Sequence, residues 1–291
     1  MLVDTHCHLH DQEWFTPEQA KEALFGATNR EVKQVICIGT DLDDSRVARD
    51  FASAHQNVYW TFGIHPEFAN KYEDDSWGLE AGLEAMRSNG EARANKPCDD
   101  RRPKRATEKL ASNSQPLLVA IGEVGLDYHY DSSSRSSQIH LFEQMLQLAK
   151  DLDLPVSLHI REAFADLWPI LDNFPKIRGV VHSFTGSKRN LAEALRREFY
   201  IGVNGLATYT TTPLPPLEEM LLETDAPFLT PYHNRDTMNV PGNVQEIAAF
   251  LSGKLGVAET IIAEQTTHNA TQLFGIKLTG GGFFTTSDPT R

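Results

Sequence analysis

The chain has 291 residues, 40% of them hydrophobic, and 27 basic against 40 acidic side chains leave a formal charge of -13. That charge excludes a protein that coats nucleic acid through a basic surface, although a local polyanion site built around metal ions stays open. Three cysteines, Cys7, Cys37 and Cys98, have no C-x-x-C spacing and suggest neither a disulfide framework nor a cysteine metal site, and no apolar run approaches the length of a membrane span.

Eight short apolar, β-branched runs follow one another along the chain: "MLVDTH" (1–6), "QVICIGT" (34–40), "VYWTFGIHP" (58–66), "LLVAIGEVG" (117–125), "PVSLHI" (155–160), "GVVHSF" (179–184), "YIGVNG" (200–205) and "EMLLETD" (219–225). Segments of helical spacing separate them. In "QIHLFEQMLQLAKDLDL", for example, Ile139, Leu141, Phe142, Met145, Leu146 and Leu148 form the apolar side of a helix that ends before Pro155. Strands alternating with helices imply a parallel sheet with crossover helices, and eight of them in this length predict a (β/α)8 TIM barrel. A doubly wound open sheet is the alternative.

Two stretches fit a barrel poorly. Residues 88–115, containing "RRPKR", are polar and lack hydrophobic periodicity, which predicts a flexible insertion before the fourth strand. Between the seventh and eighth strands, "LATYTTTPLPPLE" holds three prolines and leaves little room for a helix, so the seventh crossover is expected to be shortened. We therefore expect one barrel domain over residues 1–276 and a frayed C-terminal tail over 277–291. Because the first strand begins at Leu2, no signal or transit peptide is expected. The expectation is a soluble protein that is not secreted, cytoplasmic or alternatively nuclear.

The first strand carries His6, His8 and His10 at alternating positions, so the three imidazoles can project from one face. Alone this is weak evidence, since histidines on a strand face often do no more than bond a carbonyl. Further strand ends supply the missing types: Glu123 closes "VAIGE", His159 closes "VSLH", His182 closes "VVH" and Asp225 closes "LLETD". In a barrel these C-terminal ends converge on one face, where active sites of that architecture sit. A strand-end histidine or aspartate has an ordinary structural use, yet this set taken together predicts a divalent metal site.

The blocks "VDTHCHLH", "TFGIHPEFA", "AIGEVGLDYHYD", "LPVSLHIREA", "GVVHSFTGS", "LLETDAPFLTP" and "HNATQLFG" resemble the signature of the TatD family of metal-dependent deoxyribonucleases, in family order from about residue 2 to 276. The resemblance implies up to two divalent ions, Mg2+, Mn2+ or Zn2+. It implies that His6, His8 and Asp225 hold one ion, that His159 and His182 hold the other, and that Glu123 bridges them. Asp225 and Glu123 would be catalytic, Asp225 as the general base. His65 and Arg161 are candidates for a phosphate contact; a strand-end hydrogen bond and a salt bridge are their structural alternatives. Asp127 and Tyr128 would orient ligands or stack a base, and Phe184, Thr185 and Gly186 would shape a loop.

The implied substrate is DNA, single-stranded and cut from the 3′ end, with no membrane and no obligatory protein partner. Two departures stand out. The family usually has aspartate where His10 stands, so His10 is left outside the metal set. "NVP" (239–241) carries Val240 where the family tends to have an acid, which puts the local loop contacts in question. The alternative functions are another hydrolase of the amidohydrolase superfamily, acting on a small ester, lactone or amide, and a non-catalytic metal or nucleic-acid binding module.

Overall fold

The computed structural model describes residues 1–72, 118–278 and 283. The eight strands fall where the apolar runs place them: β1 Leu2–Cys7, β2 Val32–Cys37, β3 Val58–Phe62, β4 Leu118–Asp127, β5 Val156–Arg161, β6 Gly179–Val181, β7 Tyr200–Val203 and β8 Met220–Leu222. All are parallel and lie in the order β1-β2-β3-β4-β5-β6-β7-β8. A Cys7–Ala226 bridge joins the two ends of the sheet. Thr5 Oγ1 donates to Leu222 O at 2.9 Å across the same seam, and buried Asp4 accepts from Thr224 N at 2.9 Å. The result is a nearly closed (β/α)8 barrel.

The crossovers are α1 (Pro17–Asn29), α2 (Leu42–Ala54), α3 (Arg135–Leu152), α4 (Phe164–Asp172) and α5 (Lys188–Arg196); α6 (Val244–Leu255) and α7 (Glu259–Phe274) follow β8. Four of these starts have a side-chain cap. Thr16 and Gln19 form a reciprocal capping box on α1 with Pro17 in its first turn, and Asp41, Ser134 and Ser187 cap α2, α3 and α5. Helix α3 buries Leu141, Phe142, Met145, Leu146 and Leu148, the apolar stripe expected from its spacing.

The main core gathers strand residues such as Val35, Phe62, Ile121 and Leu158 with Leu24, Phe142 and Ile247 of the helices. A second cluster sets Val3, Ile36, Val119, Val180 and Leu221, contributed by five strands, against Leu273 and Phe274 of α7. The seventh crossover has no α-helix. Two short 3-10 turns, Gly205–Thr208 and Leu217–Glu219, carry the chain from β7 to β8 instead.

The insertion expected at 88–115 lies outside the described residues. In the tail, Phe283 is buried in the main core and its carbonyl accepts from Gln56 N at 3.0 Å, so this residue is packed where fraying was expected. No described helix is long and apolar enough to cross a membrane.

Candidate metal centre

The strands β1, β4, β5, β6 and β8 and the turns that follow them bring His6, His8, Glu123, His159, His182 and Asp225 into one cluster, with Glu123 inside β4, which runs on to Asp127, and not at its end as expected. Glu123 stands at the middle of the cluster, 4% exposed, and its two oxygens face different imidazoles. Oε1 lies 2.7 Å from His159 Nδ1 and 3.0 Å from His182 Nε2, with His65 Nε2 at 3.9 Å. Oε2 lies 3.4 Å from His6 Nε2 and 3.9 Å from His8 Nε2. Asp225 Oδ1 completes the second group, 3.5 Å from His6 Nε2 and 3.4 Å from His8 Nε2.

The backbone is bent to present these groups. Asp225 sits at φ 58°, in the left-handed region that non-glycine residues seldom enter. Its N–H donates to His6 O at 2.8 Å and its carbonyl accepts from Phe228 N at 2.7 Å, which hold that turn in place. Ser183, directly after His182, is similarly left-handed at φ 45°. Gly63 makes room for Glu123, because a Cβ there would stand 2.3 Å from Glu123 N. Gly202 does the same for Glu223, whose Oε2 would lie 2.3 Å from such a Cβ.

A second layer holds the imidazoles. Asp127 Oδ2 lies 3.0 Å from His159 Nε2, and Glu223 Oε1 lies 3.4 Å from His182 Nδ1 while accepting from Ser183 N at 2.6 Å. On β1 the partner is backbone, with His8 Nδ1 3.1 Å from Ile38 O. A carboxylate behind an imidazole fixes its orientation and raises its basicity.

The charges follow from this arrangement. Burial raises the Glu123 carboxyl, but the charge of His182 and the hydrogen bonds from His159 and His182 outweigh it and hold Glu123 well below the usual range. Burial also lowers the histidines. For His182 the Glu123 and Glu223 carboxylates reverse that effect strongly, and Asp127 and Glu123 do so for His159. His6, fully buried and stacked on His182 with ring centroids 3.8 Å apart, stays lowered by burial and by the neighbouring positive charge. His65 is pushed down to about 3, by burial first and then by His159.

These donors suit divalent ions. Both ring nitrogens of His6 are buried without a hydrogen-bond partner, an arrangement costly in a folded protein unless a ligand uses the lone pair. Three overlapping sets have ligand atoms within 4.8 Å of one another: His6, His182 and Asp225; His6, His8 and Glu123; and His65, Glu123 and His159. Mixed imidazole and carboxylate donors fit zinc, manganese and related ions.

The remaining predicted residues divide. His65 joins the cluster as a neutral imidazole, which has one lone pair and one N–H to offer. Arg161 lies at the rim with its guanidinium 4.8 Å from the Tyr130 ring and no ion pair among the described residues. Asp127 faces His159, as above. The Tyr128 hydroxyl donates to Asp166 Oδ2 at 2.7 Å and Arg135 lies over the ring at 4.7 Å. Tyr130, two residues on, is the exposed ring on this edge.

His10 turns to Asp44 at 3.0 Å and takes no place in the three sets. The loop contacts questioned at "NVP" are made by Asn239, whose Nδ2 donates to Thr224 O and Phe228 O at 2.9 and 2.6 Å. Glu223 was not singled out from the sequence. Its only signal there is a second acid two positions before Asp225 in "LLETD".

A barrel whose strand ends carry this donor set defines a hydrolase that works through divalent metal. Comparison with known proteins agrees. The family described as TatD related DNase matches residues 3–275. A Bacillus subtilis protein described as the uncharacterized metal-dependent hydrolase YabD is 30% identical over 95% of this chain and 100% of its own length. The Citrobacter rodentium 3'-5' ssDNA/RNA exonuclease TatD is 31% identical over 85% of this chain and 88% of its own. The crystal structure of YJJV, a TatD homolog from Escherichia coli K12, superposes with a TM-score of 0.75 at 27% identity, covering 95% of this chain and 98% of that one. The chain belongs to the TatD family and is a metal-dependent hydrolase acting on ester bonds.

Proposed function

We propose that this protein hydrolyses phosphodiester bonds of single-stranded DNA from the 3′ end, with two divalent ions sharing Glu123. One observation carries the reading: the two Glu123 oxygens face separate donor groups, Oε2 toward His6 and His8, and Oε1 toward His159 and His182. His6, His8 and Asp225 would hold one ion and His159 and His182 the other, with His65 available to the second. When bound, such a pair lowers the pKa of water and neutralises the oxygens of a phosphodiester.

The protein's own groups do the rest. Asp225, held below the usual carboxylate range because His8, His182 and His6 outweigh its burial, is ionised at neutral pH and can take a proton from the attacking water. Asp127 and Glu223 keep His159 and His182 oriented. Arg161, with its guanidinium over the Tyr130 ring and no carboxylate partner among the described residues, would contact a phosphate outside the cluster. A relative named as a 3'-5' ssDNA/RNA exonuclease supports both substrate and polarity.

The test is an oligonucleotide labelled at either end, incubated with protein and magnesium or manganese beside small esters and lactones. The reading expects a nucleotide ladder from the 3′ end, lost on chelation. Turnover of esters or lactones alone would replace it with a different hydrolase, and no turnover of any substrate would leave a binding module.

A further inference from the structure

Two large aromatic side chains stand beside the metal cluster with much of their surface in water. Trp14 is 48% exposed and Phe228 is 43% exposed. They come from different ends of the chain and meet only because β8 closes against β1. Trp14 lies in the loop after β1 and Phe228 in the loop after β8, with ring centroids 5.2 Å apart and planes at 77°. The Phe228 ring is in turn 6.3 Å from the His8 ring.

Both rings sit on braced backbone. Phe228 N donates to Asp225 O at 2.7 Å, and Asn239 Nδ2 donates to Phe228 O, so this ring rides on the turn that presents Asp225. Trp14 N donates to Asp11 O at 3.2 Å, and the adjacent Phe15 is buried at 2% exposure, which anchors the Trp14 loop. Adjoining exposed aromatics beside a charged cluster are not explained by packing, since neither ring completes the core. An edge-to-face pair leaves ring surface open.

We infer that Trp14 and Phe228 form a stacking platform for the nucleobase next to the scissile phosphodiester. The inference rests on the nuclease reading above and adds the residues that would hold the base. A phosphodiester at the cluster has its adjoining base within one sugar's reach, and the aromatic pair is the apolar surface next to Asp225 and His8. Aromatic rings accept any base, because every base has a π face, so the platform supplies affinity without sequence preference. At the end of β5, on the other side of the cluster, Arg161 stands over Tyr130 and supplies a positive charge. The base and the flanking phosphates thereby have separate places. Trp14 and Phe228 are positioning residues and take no part in bond cleavage.

The experiment measures KM and kcat on a single-stranded oligonucleotide and on the same oligonucleotide made abasic on either side of the scissile bond. Trp14→Ala and Phe228→Ala should raise KM on the base-bearing strand by about tenfold, with kcat retained. Trp14→Phe and Phe228→Tyr should restore most of it. On the abasic strand wild type and variants should coincide. Equal KM for wild type and variants on the base-bearing strand, or equal increases on both strands, would overturn the inference while leaving the nuclease reading intact. If wild type cuts no oligonucleotide, that reading fails by itself. The platform is then judged by tryptophan fluorescence with deoxyadenosine monophosphate: saturable quenching that Trp14→Phe abolishes and Phe228→Ala weakens supports it, and absence of quenching overturns it.

Discussion

The two sides of the metal cluster are built differently. On the β1–β8 side, His8 is steadied by a backbone carbonyl, Ile38 O, and His6 has no hydrogen-bond partner at either nitrogen. On the β4–β6 side, Asp127 is hydrogen-bonded to His159 at 3.0 Å, and the Glu223 carboxylate lies 3.4 Å from His182 Nδ1 as an ion pair without a hydrogen bond. Basicity sets His6 apart: burial leaves it lowered, while the acids reverse burial at His8, His159 and His182. A carboxylate-backed imidazole is the stronger donor, so the ion on the Glu123 Oε1 side should be held more tightly than the one on the Oε2 side. Glu123 belongs to both.

The largest effect should come from the shared group. Glu123→Gln removes the charge common to both sides and should cut hydrolysis by about a hundredfold or more while weakening both ions, read by turnover and by elemental analysis. Asp225→Asn breaks one side only. Its rate should fall by about a hundredfold through loss of the base, with the ion at His159 and His182 retained. Equal metal loss in the two variants would erase the proposed asymmetry.

Removing the backing carboxylates sharpens the comparison from the other direction. Asp127→Asn or Glu223→Gln should weaken the tighter ion by about tenfold to a hundredfold, with little change at His6 and His8. Competition titration against a chelator of known affinity measures this. If both variants bind two ions as wild type does, the carboxylates serve the fold and not the metal.

The smallest effect is on stability and separates imidazole pairing outside the cluster from pairing within it. Asp44 is held down at about 2, because the hydrogen bond and charge of His10 and the Thr40 N–H outweigh its burial. A lowered carboxyl stabilises the fold fully above its unfolded value, near 3.9, and loses that contribution as pH falls toward about 2. With part of Asp44 in water, Asp44→Asn should cost about 1–2 kcal/mol at neutral pH. The loss should shrink toward pH 2–3, as urea unfolding across that range would show. A constant loss across the range would assign the effect to packing.

The sequence made the strands and the candidate ligands on them legible because each requires only local information. β-branched runs mark β1 to β8, and a ligand at a strand end has a fixed place once the barrel is known. The missing seventh helix was visible in Pro213, Pro215 and Pro216. What stayed hidden depends on neighbours distant in the chain. Glu223 gains its role from His182, Ser183 and the space above Gly202. Trp14 and Phe228 meet only through barrel closure. Tyr128, a candidate to orient ligands or stack a base, has Asp166 on its hydroxyl and Arg135 over its ring, partners that no spacing in "GLDYHY" announces. Phe283 packs into the core from a stretch rich in glycine and threonine, where composition suggested fraying.

The central claim is that two ions sharing Glu123 drive the reaction, and stoichiometry tests it most directly. Chelated protein is titrated with manganese while bound metal is counted by elemental analysis and oligonucleotide hydrolysis is recorded in the same samples. The account predicts little hydrolysis while the first, carboxylate-backed set fills and a steep rise as the second fills. Full hydrolysis with one ion bound, or with none, would contradict it.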